Sequence, residues 1–99
     1  MSLRIDVDLT KIAEFCIRGK IVEFALFGSV LRDDFRPDSD VDVLVEFEPE
    51  QTPGFAFFEM EIELSGILGR KVDLNTAGFL SKYFRDEVLA EAEVQYDAA

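Results

Sequence analysis

Residues 40–47, with the sequence DVDVLVEF, place the strongest constraint on how this chain can fold. Apolar and polar side chains alternate with the two-residue period of a β-strand, in which neighbouring side chains point to opposite faces. One face would carry Asp40, Asp42, Leu44 and Glu46, and the other Val41, Val43, Val45 and Phe47. The segment therefore predicts a strand that buries one face and directs two carboxylates, Asp40 and Asp42, to the same side.

The first half of the chain predicts a helix, a strand and a turn before that segment. Apolar residues at helical spacing from Leu9 to Cys16 indicate a helix, with Gly19 as its stop. Ile21–Phe27 is an almost wholly apolar run, typical of a strand covered on both faces. Ser29 is expected to cap a helical turn over residues 30–32, before a loop over residues 33–39.

The second half predicts two helices and one more strand. Helical spacing over residues 57–68 ends at Gly69, and residues 71–75 form a brief strand. In this strand Asp73 points away from the face that carries Val72 and Leu74. Residues 81–96 are expected to form the last helix, with one stripe made by Phe84, Val88 and Ala92.

These elements predict one domain over residues 1–99, of α/β (α+β) class, with a small mixed sheet and helices mainly on one face. An apolar share of 48% with ten Phe supplies its core. The single Cys16 cannot form an internal disulfide, and without His a zinc site of the Cys/His kind lacks ligands. Cys16 itself lies on the apolar helical stripe and is expected in the core.

Charge and hydropathy indicate where in the cell the protein is expected and which partners it can bind. No apolar run approaches a membrane span of about 18 residues, and the N-terminus lacks a signal-peptide pattern, so a cytoplasmic protein without membrane contact is expected. The net charge of -11 opposes direct binding of free nucleic acid, which requires Lys and Arg contacts to phosphates. A basic protein partner fits this charge.

Two motifs together indicate chemistry on phosphates. An Asp-x-Asp pair on a strand offers hard oxygen ligands that suit Mg²⁺, although alone it also occurs on solvated strands. Gly28-Ser29 follows the preceding strand, and ten residues separate this pair from Asp40. A Gly lets the backbone approach phosphate closely, and a Ser at a helix start offers a hydroxyl and free N–H groups. The pair of motifs predicts a phosphate cradle beside a metal site.

The spacing Gly28-Ser29, ten residues, Asp40-x-Asp42 resembles the signature of the DNA polymerase β nucleotidyltransferase superfamily. The strings GSVLRDDFRPDSDVDVLVEF, GRKVDL and FRDEVLAEAEVQY are similar to the small MNT proteins, antitoxins that pair with HEPN-domain toxins. The likeness spans nearly the whole chain and implies a polymerase β-like fold.

This resemblance implies a set of roles. Asp40, Asp42 and Asp73 would bind two Mg²⁺ ions, or Mn²⁺, and Asp73 would help to activate the attacking hydroxyl. Gly28, Ser29 and Arg32 would bind the nucleoside triphosphate, ATP in the leading hypothesis. Arg36, Arg70 and Lys71 are the other nearby cations. Since three close carboxylates repel one another, at least one should have a raised pKa without metal.

Three functions stay open at this point. The leading one is an antitoxin enzyme that transfers AMP from ATP to a tyrosine of a HEPN toxin. The alternative is a catalytically inactive, acidic antitoxin that neutralises the toxin by binding alone. It is favoured by the charge and by Arg32-Asp33-Asp34, where many MNT sequences have Arg-Gly-Asp. The third is a nucleotidyltransferase with a small-molecule acceptor.

Three aromatic residues, Phe55, Phe57 and Phe58, exceed what one helical stripe can bury. They predict either an exposed aromatic patch for a partner or a corner folded onto the core.

Overall fold

The computed structural model describes residues 5, 7–32, 35–36, 38–80 and 85–98. Four strands form one mixed sheet in the order β3-β2-β1-β4, with β1 at Ile21–Phe27, β2 at Val41–Phe47, β3 at Val72–Asn75 and β4 at Glu93–Asp97. β1 is antiparallel to both β2 and β4, whereas β2 and β3 are parallel. The helices are α1 at Leu9–Gly19, α2 at Ala56–Leu68 and α3 at Arg85–Glu91. The mixed α/β architecture predicted from the sequence is confirmed.

One face of the sheet carries the main core. The fully buried Ile12 and Cys16 of α1 and Leu64 of α2 pack there against inward-facing strand residues such as Phe24 and Val43. Their burial removes apolar surface from water, and this hydrophobic effect is the main force that stabilises a small domain. Two of the three helices therefore lie on this face, as the sequence predicts.

The opposite face carries a smaller cluster, in which Phe27 and Leu44 pack with Leu80 and with Val88, a residue of the short helix α3. This is the face to which β2 and β3 direct their carboxylates, because Asp42 alternates with the buried Val41 and Val43. The partial cover by α3 leaves the acidic end of this face open to solvent.

Local signals explain where the helices begin and end. The Asp8 carboxylate caps α1 by accepting hydrogen bonds from the backbone N–H of Thr10 and Lys11. Gly19 is the last helical residue, and the left-handed stop lies at Lys20 with φ 60°, one residue after the expected position. Gly69, with φ 68°, ends α2 as predicted.

The predicted last helix over residues 81–96 is wrong at its C-terminal end. Its start lies outside the described residues, and helix α3 ends at Glu91. Glu93–Asp97 form strand β4 instead, with Tyr96 paired to Phe24 of β1 and packed on the main core. Alternation in this segment and a free edge on β1 favour a strand, and pairing with a distant segment outweighs the local helical spacing.

Smaller differences concern boundaries. Asp40 and Lys71 each precede the strand in which they were predicted. Gly28–Leu31 form a 3-10 turn that begins after Phe27, so Ser29 lies inside the turn and does not cap it. Among the described helices, none is long and apolar enough to cross a bilayer.

Candidate active site

The carboxylates converge where β2 and β3 run side by side. Asp42 and Asp73 are direct partners in the parallel register, and both point to the face opposite the main core. Asp40 lies on the exposed chain just before β2, with its Oδ2 4.0 Å from the Lys71 Nζ. The backbone thus brings together the three residues that the sequence nominated.

Asp42 has the strongest electrostatic perturbation of these groups. Its pKa is raised from 3.8 to about 6, first by burial and then by the negative charges of Asp73 and Asp40, while Arg32 acts in the opposite direction. Partial removal from water and like charges both disfavour the ionised form. A raised pKa is what three neighbouring carboxylates predict, and a bound cation would lower it.

Gly28 closes directly over Asp42. Its φ is 78°, a left-handed conformation that Gly adopts without steric cost, and a Cβ at this position would overlap the Asp42 carboxylate. The absence of a side chain therefore serves two purposes, since the turn after β1 can form and the backbone can lie against the acidic site. A phosphate bound at Asp42 would meet this backbone.

A carboxylate of the protein already occupies part of the predicted phosphate cradle. The Gly28 N–H donates to Glu91 Oε1 at 3.4 Å, and Arg32 Nη2 lies 3.3 and 3.2 Å from the two oxygens of Glu91. Glu91 is the last residue of α3. Two of the groups nominated for nucleotide binding are thus held by an internal anion, in the way they would hold a phosphate.

The other cations have different surroundings. The Arg70 guanidinium lies 4.9 Å from the centre of the Phe35 ring and donates to the Arg36 carbonyl at 3.5 Å. Lys71 lies beside Asp40. The exposed Arg36 donates its backbone N–H to Ser39 Oγ at 3.0 Å. Of the four candidates, Arg32 is the one held beside Gly28. The departure at Asp33-Asp34 lies outside the described residues.

The donor set suits a hard cation, since Asp40, Asp42 and Asp73 offer only oxygen ligands. In the described part of the chain, however, no three acidic, Cys or His side chains are arranged so that they could hold a metal ion as they stand. The Asp42 and Asp73 backbones are adjacent in the β2–β3 register.

Two acidic residues at this site were not predicted from the sequence. Glu91 lies within the last helix predicted from the sequence, and no local sequence pattern indicates its pairing with Arg32, 59 residues away. Glu61 of α2 accepts a hydrogen bond from the Leu74 N–H at 2.8 Å, next to Asp73. Cys16, in contrast, behaves as expected: it is buried in the core, and burial raises its pKa to about 12.

Comparison with known proteins agrees with this geometry. The family model "Nucleotidyltransferase domain" matches residues 9–94, and the chain belongs to this family. Within it, the protein adenylyltransferase MntA of Thermococcus cleftensis is 41% identical over 74 residues, which cover 75% of this chain and 74% of the relative. The predicted relation to MNT proteins is therefore confirmed.

Solved structures show the same fold. A candidate minimal nucleotidyltransferase superposes with a TM-score of 0.70 at 36% identity, covering 85% of both chains. A toxin–antitoxin complex with AMP-PNP gives a TM-score of 0.74 at 22% identity, over 92% of this chain and 74% of the other. A tri-AMPylated HEPN toxin of Shewanella oneidensis in complex with its MNT antitoxin gives 0.66 at 22% identity, over 90% and 69%.

Proposed function

We propose that this chain is an antitoxin that transfers AMP from MgATP to a tyrosine hydroxyl of a HEPN-type toxin. The observation that carries the proposal is the in-register pair Asp42 and Asp73 beside the Gly28 turn, which puts paired carboxylates against backbone able to approach phosphate. The name of the 41% identical relative, a protein adenylyltransferase, supports the same reaction. The place we propose for it is the cytoplasm, where ATP is available and the Cys16 thiol stays reduced.

In the reaction proposed, the acceptor oxygen forms a bond to the α-phosphorus of ATP. The bond from the α-phosphorus to the bridging oxygen breaks, and pyrophosphate leaves. Asp73 is exposed and accepts the proton of the attacking hydroxyl, while Gly28, Ser29 and Arg32 orient the phosphates. Two Mg²⁺ ions, held by Asp40, Asp42 and Asp73, would neutralise the triphosphate and both reacting oxygens.

The experiment is intact-mass spectrometry of a HEPN-type toxin incubated with MgATP and the chain. The wild type should add about 329 Da for each AMP, whereas Asp73→Asn, which keeps the side-chain size but removes the base, should add little. The wild type and Asp73→Asn should both still form the complex with the toxin. A toxin that is neutralised with unchanged mass would reject transfer as the mechanism.

One observation favours a second function, neutralisation by binding alone. Glu91 contacts Gly28 and Arg32, two of the residues proposed to bind phosphate, and the net charge of -11 suits a basic partner. For a sequestering antitoxin, Asp73→Asn should protect cells as well as the wild type does. Charge reversals on the acidic surface should then abolish protection.

A further inference from the structure

Helix α2 has an apolar stripe on its exposed side. Phe55 precedes the helix and is 91% exposed, and Phe58 and Ile62 follow at helical spacing with 64% and 73% exposure. Other exposed apolar residues in the described ranges, such as Leu9 and Leu89, are scattered over other elements. Of the three aromatic residues Phe55, Phe57 and Phe58, Phe57 belongs to the core, since it is buried against Phe47. A contiguous exposed patch of this kind marks an interaction surface.

One residue of this stripe of Phe55, Phe58 and Ile62 reaches the candidate active site. Phe58 lines a cavity of about 390 Å³ that Asp73 and Asn75 of β3 also line. A larger cavity of about 490 Å³, lined by Leu44 and Leu89 among others, contains none of the three carboxylates. Phe58 therefore places part of the stripe next to the edge of the sheet that carries Asp73.

The stripe and Asp73 are held in a fixed relation by hydrogen bonds from the outer edge of β3 to α2. The Val72 N–H donates to Ser65 Oγ at 3.1 Å, and the Leu74 N–H donates to Glu61 Oε2 at 2.8 Å. These two donors flank Asp73 in sequence and are partly buried. A partner docked on α2 would consequently have a fixed position relative to the β3 backbone that carries Asp73.

The charge of the residues around the stripe indicates which kind of partner can bind there. Helix α2 carries three Glu and no Lys or Arg. Glu59 lies exposed beside Phe58, whereas Glu63 beside Ile62 is paired with Arg18 of α1. A second copy of this chain would bring the same acidic rim against itself, and an anionic surface would be repelled. A protein with an apolar centre and a basic rim is complementary to it.

We infer that Phe55, Phe58 and Ile62 form the docking surface for the protein that supplies the acceptor hydroxyl, and that this protein presents apolar residues within a basic rim. The inference rests on the proposed function, for which it names the surface that selects the substrate. Exposed aromatic and large aliphatic residues that become buried at an interface are the usual sites of strong binding energy.

The test uses a HEPN-type toxin of the source organism, co-expressed with the full chain. Ile62→Asp adds a charge in the stripe and should weaken the complex by about 30-fold or more, as expected for an interface hot spot. Phe58→Ala, which adds no charge, should weaken it in the same direction. Calorimetry measures the toxin affinity, and a parallel titration with MgATP should give wild-type nucleotide affinity for both variants.

The matched control is Leu9→Asp, an equal charge change at an exposed apolar residue at the start of α1. This position lies about 14 Å along α1 from Arg18, which forms an ion pair with Glu63 of α2. The control should bind toxin as the wild type does. Circular dichroism should show that all three variants fold.

Four results are informative. Loss of toxin binding in Ile62→Asp and Phe58→Ala, but not in Leu9→Asp, supports the docking surface. Wild-type affinity in both stripe variants overturns it, as does a self-associating wild type that Ile62→Asp makes monomeric. A wild type that binds toxin through the stripe but transfers no AMP supports the docking surface and rejects the proposed reaction. A wild type that binds no HEPN-type toxin overturns the docking proposal.

Discussion

Glu91→Gln tests whether the internal carboxylate competes with the nucleotide. Glu91 lies within hydrogen-bonding range of the Gly28 N–H and of Arg32, both nominated as phosphate ligands. It also contributes to the raised pKa of Asp42, so its charge opposes negative charge throughout the site. Gln keeps an oxygen that can accept from both donors but removes the charge. MgATP should therefore bind more tightly to the variant.

The size of the effect follows from the exposure of the pair. Both side chains of the Arg32–Glu91 ion pair are more than a third exposed, and such pairs contribute about 0.2–1 kcal/mol. Phosphate must overcome this energy to displace Glu91 from Arg32. Glu91→Gln should therefore raise the affinity for MgATP by a factor of about 1.5 to 5. Salt should reduce the gain, since screening weakens interactions between exposed charges.

Isothermal titration calorimetry with ATP and Mg²⁺ at low salt measures the change. Glu87→Gln is the matched control, since it removes the same charge one turn earlier on the exposed side of α3. The control should bind MgATP with wild-type affinity. If Glu91→Gln binds more weakly than the wild type, Glu91 holds Arg32 in its binding position, and competition between Glu91 and phosphate is refuted.

Three further predictions concern the carboxylates and their turn. Gly28→Ala should lower the free energy of unfolding by at least about 1–2 kcal/mol, because a left-handed residue gains a Cβ against Asp42; urea denaturation measures this, and unchanged stability would contradict the geometry. Without metal, the Asp42 pKa of about 6 exceeds its unfolded value, so its contribution to stability is present below pH 3.8 and is lost as pH rises through 6. This rise in pKa corresponds to about 1 kcal/mol of stability once it is discounted for the partial exposure of Asp42. Asp42→Asn should thus be more stable than wild type at pH 7.5 in EDTA by that amount, with the gap closing near pH 4. Finally, ATP affinity should fall strongly in EDTA, and the double change Asp40→Asn, Asp42→Asn should abolish that dependence; equal affinity with and without EDTA would remove the metal site from consideration.

The sequence predicts the part of the fold that depends on local patterns. β1 has the predicted bounds because an apolar run ends at a Gly that adopts a positive φ. The carboxylate pair was predictable because a two-residue period assigns Asp42 and Asp73 to faces without knowledge of their neighbours. The resemblance to nucleotidyltransferases added that Asp73 joins Asp40 and Asp42 at one site.

What the sequence did not predict depends on distant pairing. β4 forms because Tyr96 pairs with Phe24, 72 residues earlier, and the preceding helical spacing of Val88 and Ala92 concealed it. The contact of Glu91 with Arg32 depends on where α3 lies relative to the Gly28 turn, and the pairing of the strand that follows α3 fixes this position. Neither contact has a local signal, since residues that pair across a sheet need no fixed spacing in sequence.

The direct pairing of Asp42 with Asp73 limits how the chain can change in length. Only Gly69, Arg70 and Lys71 connect α2 to β3, and Ser65 and Glu61 of α2 also bond β3. One residue added to this connection would shift β3 by one position and turn Asp73 toward the apolar core. The segment from Pro49 to Phe55 has no such pairing to preserve within the described sheet. Insertions and deletions among working relatives should accordingly accumulate there and be absent from the connection 69–71.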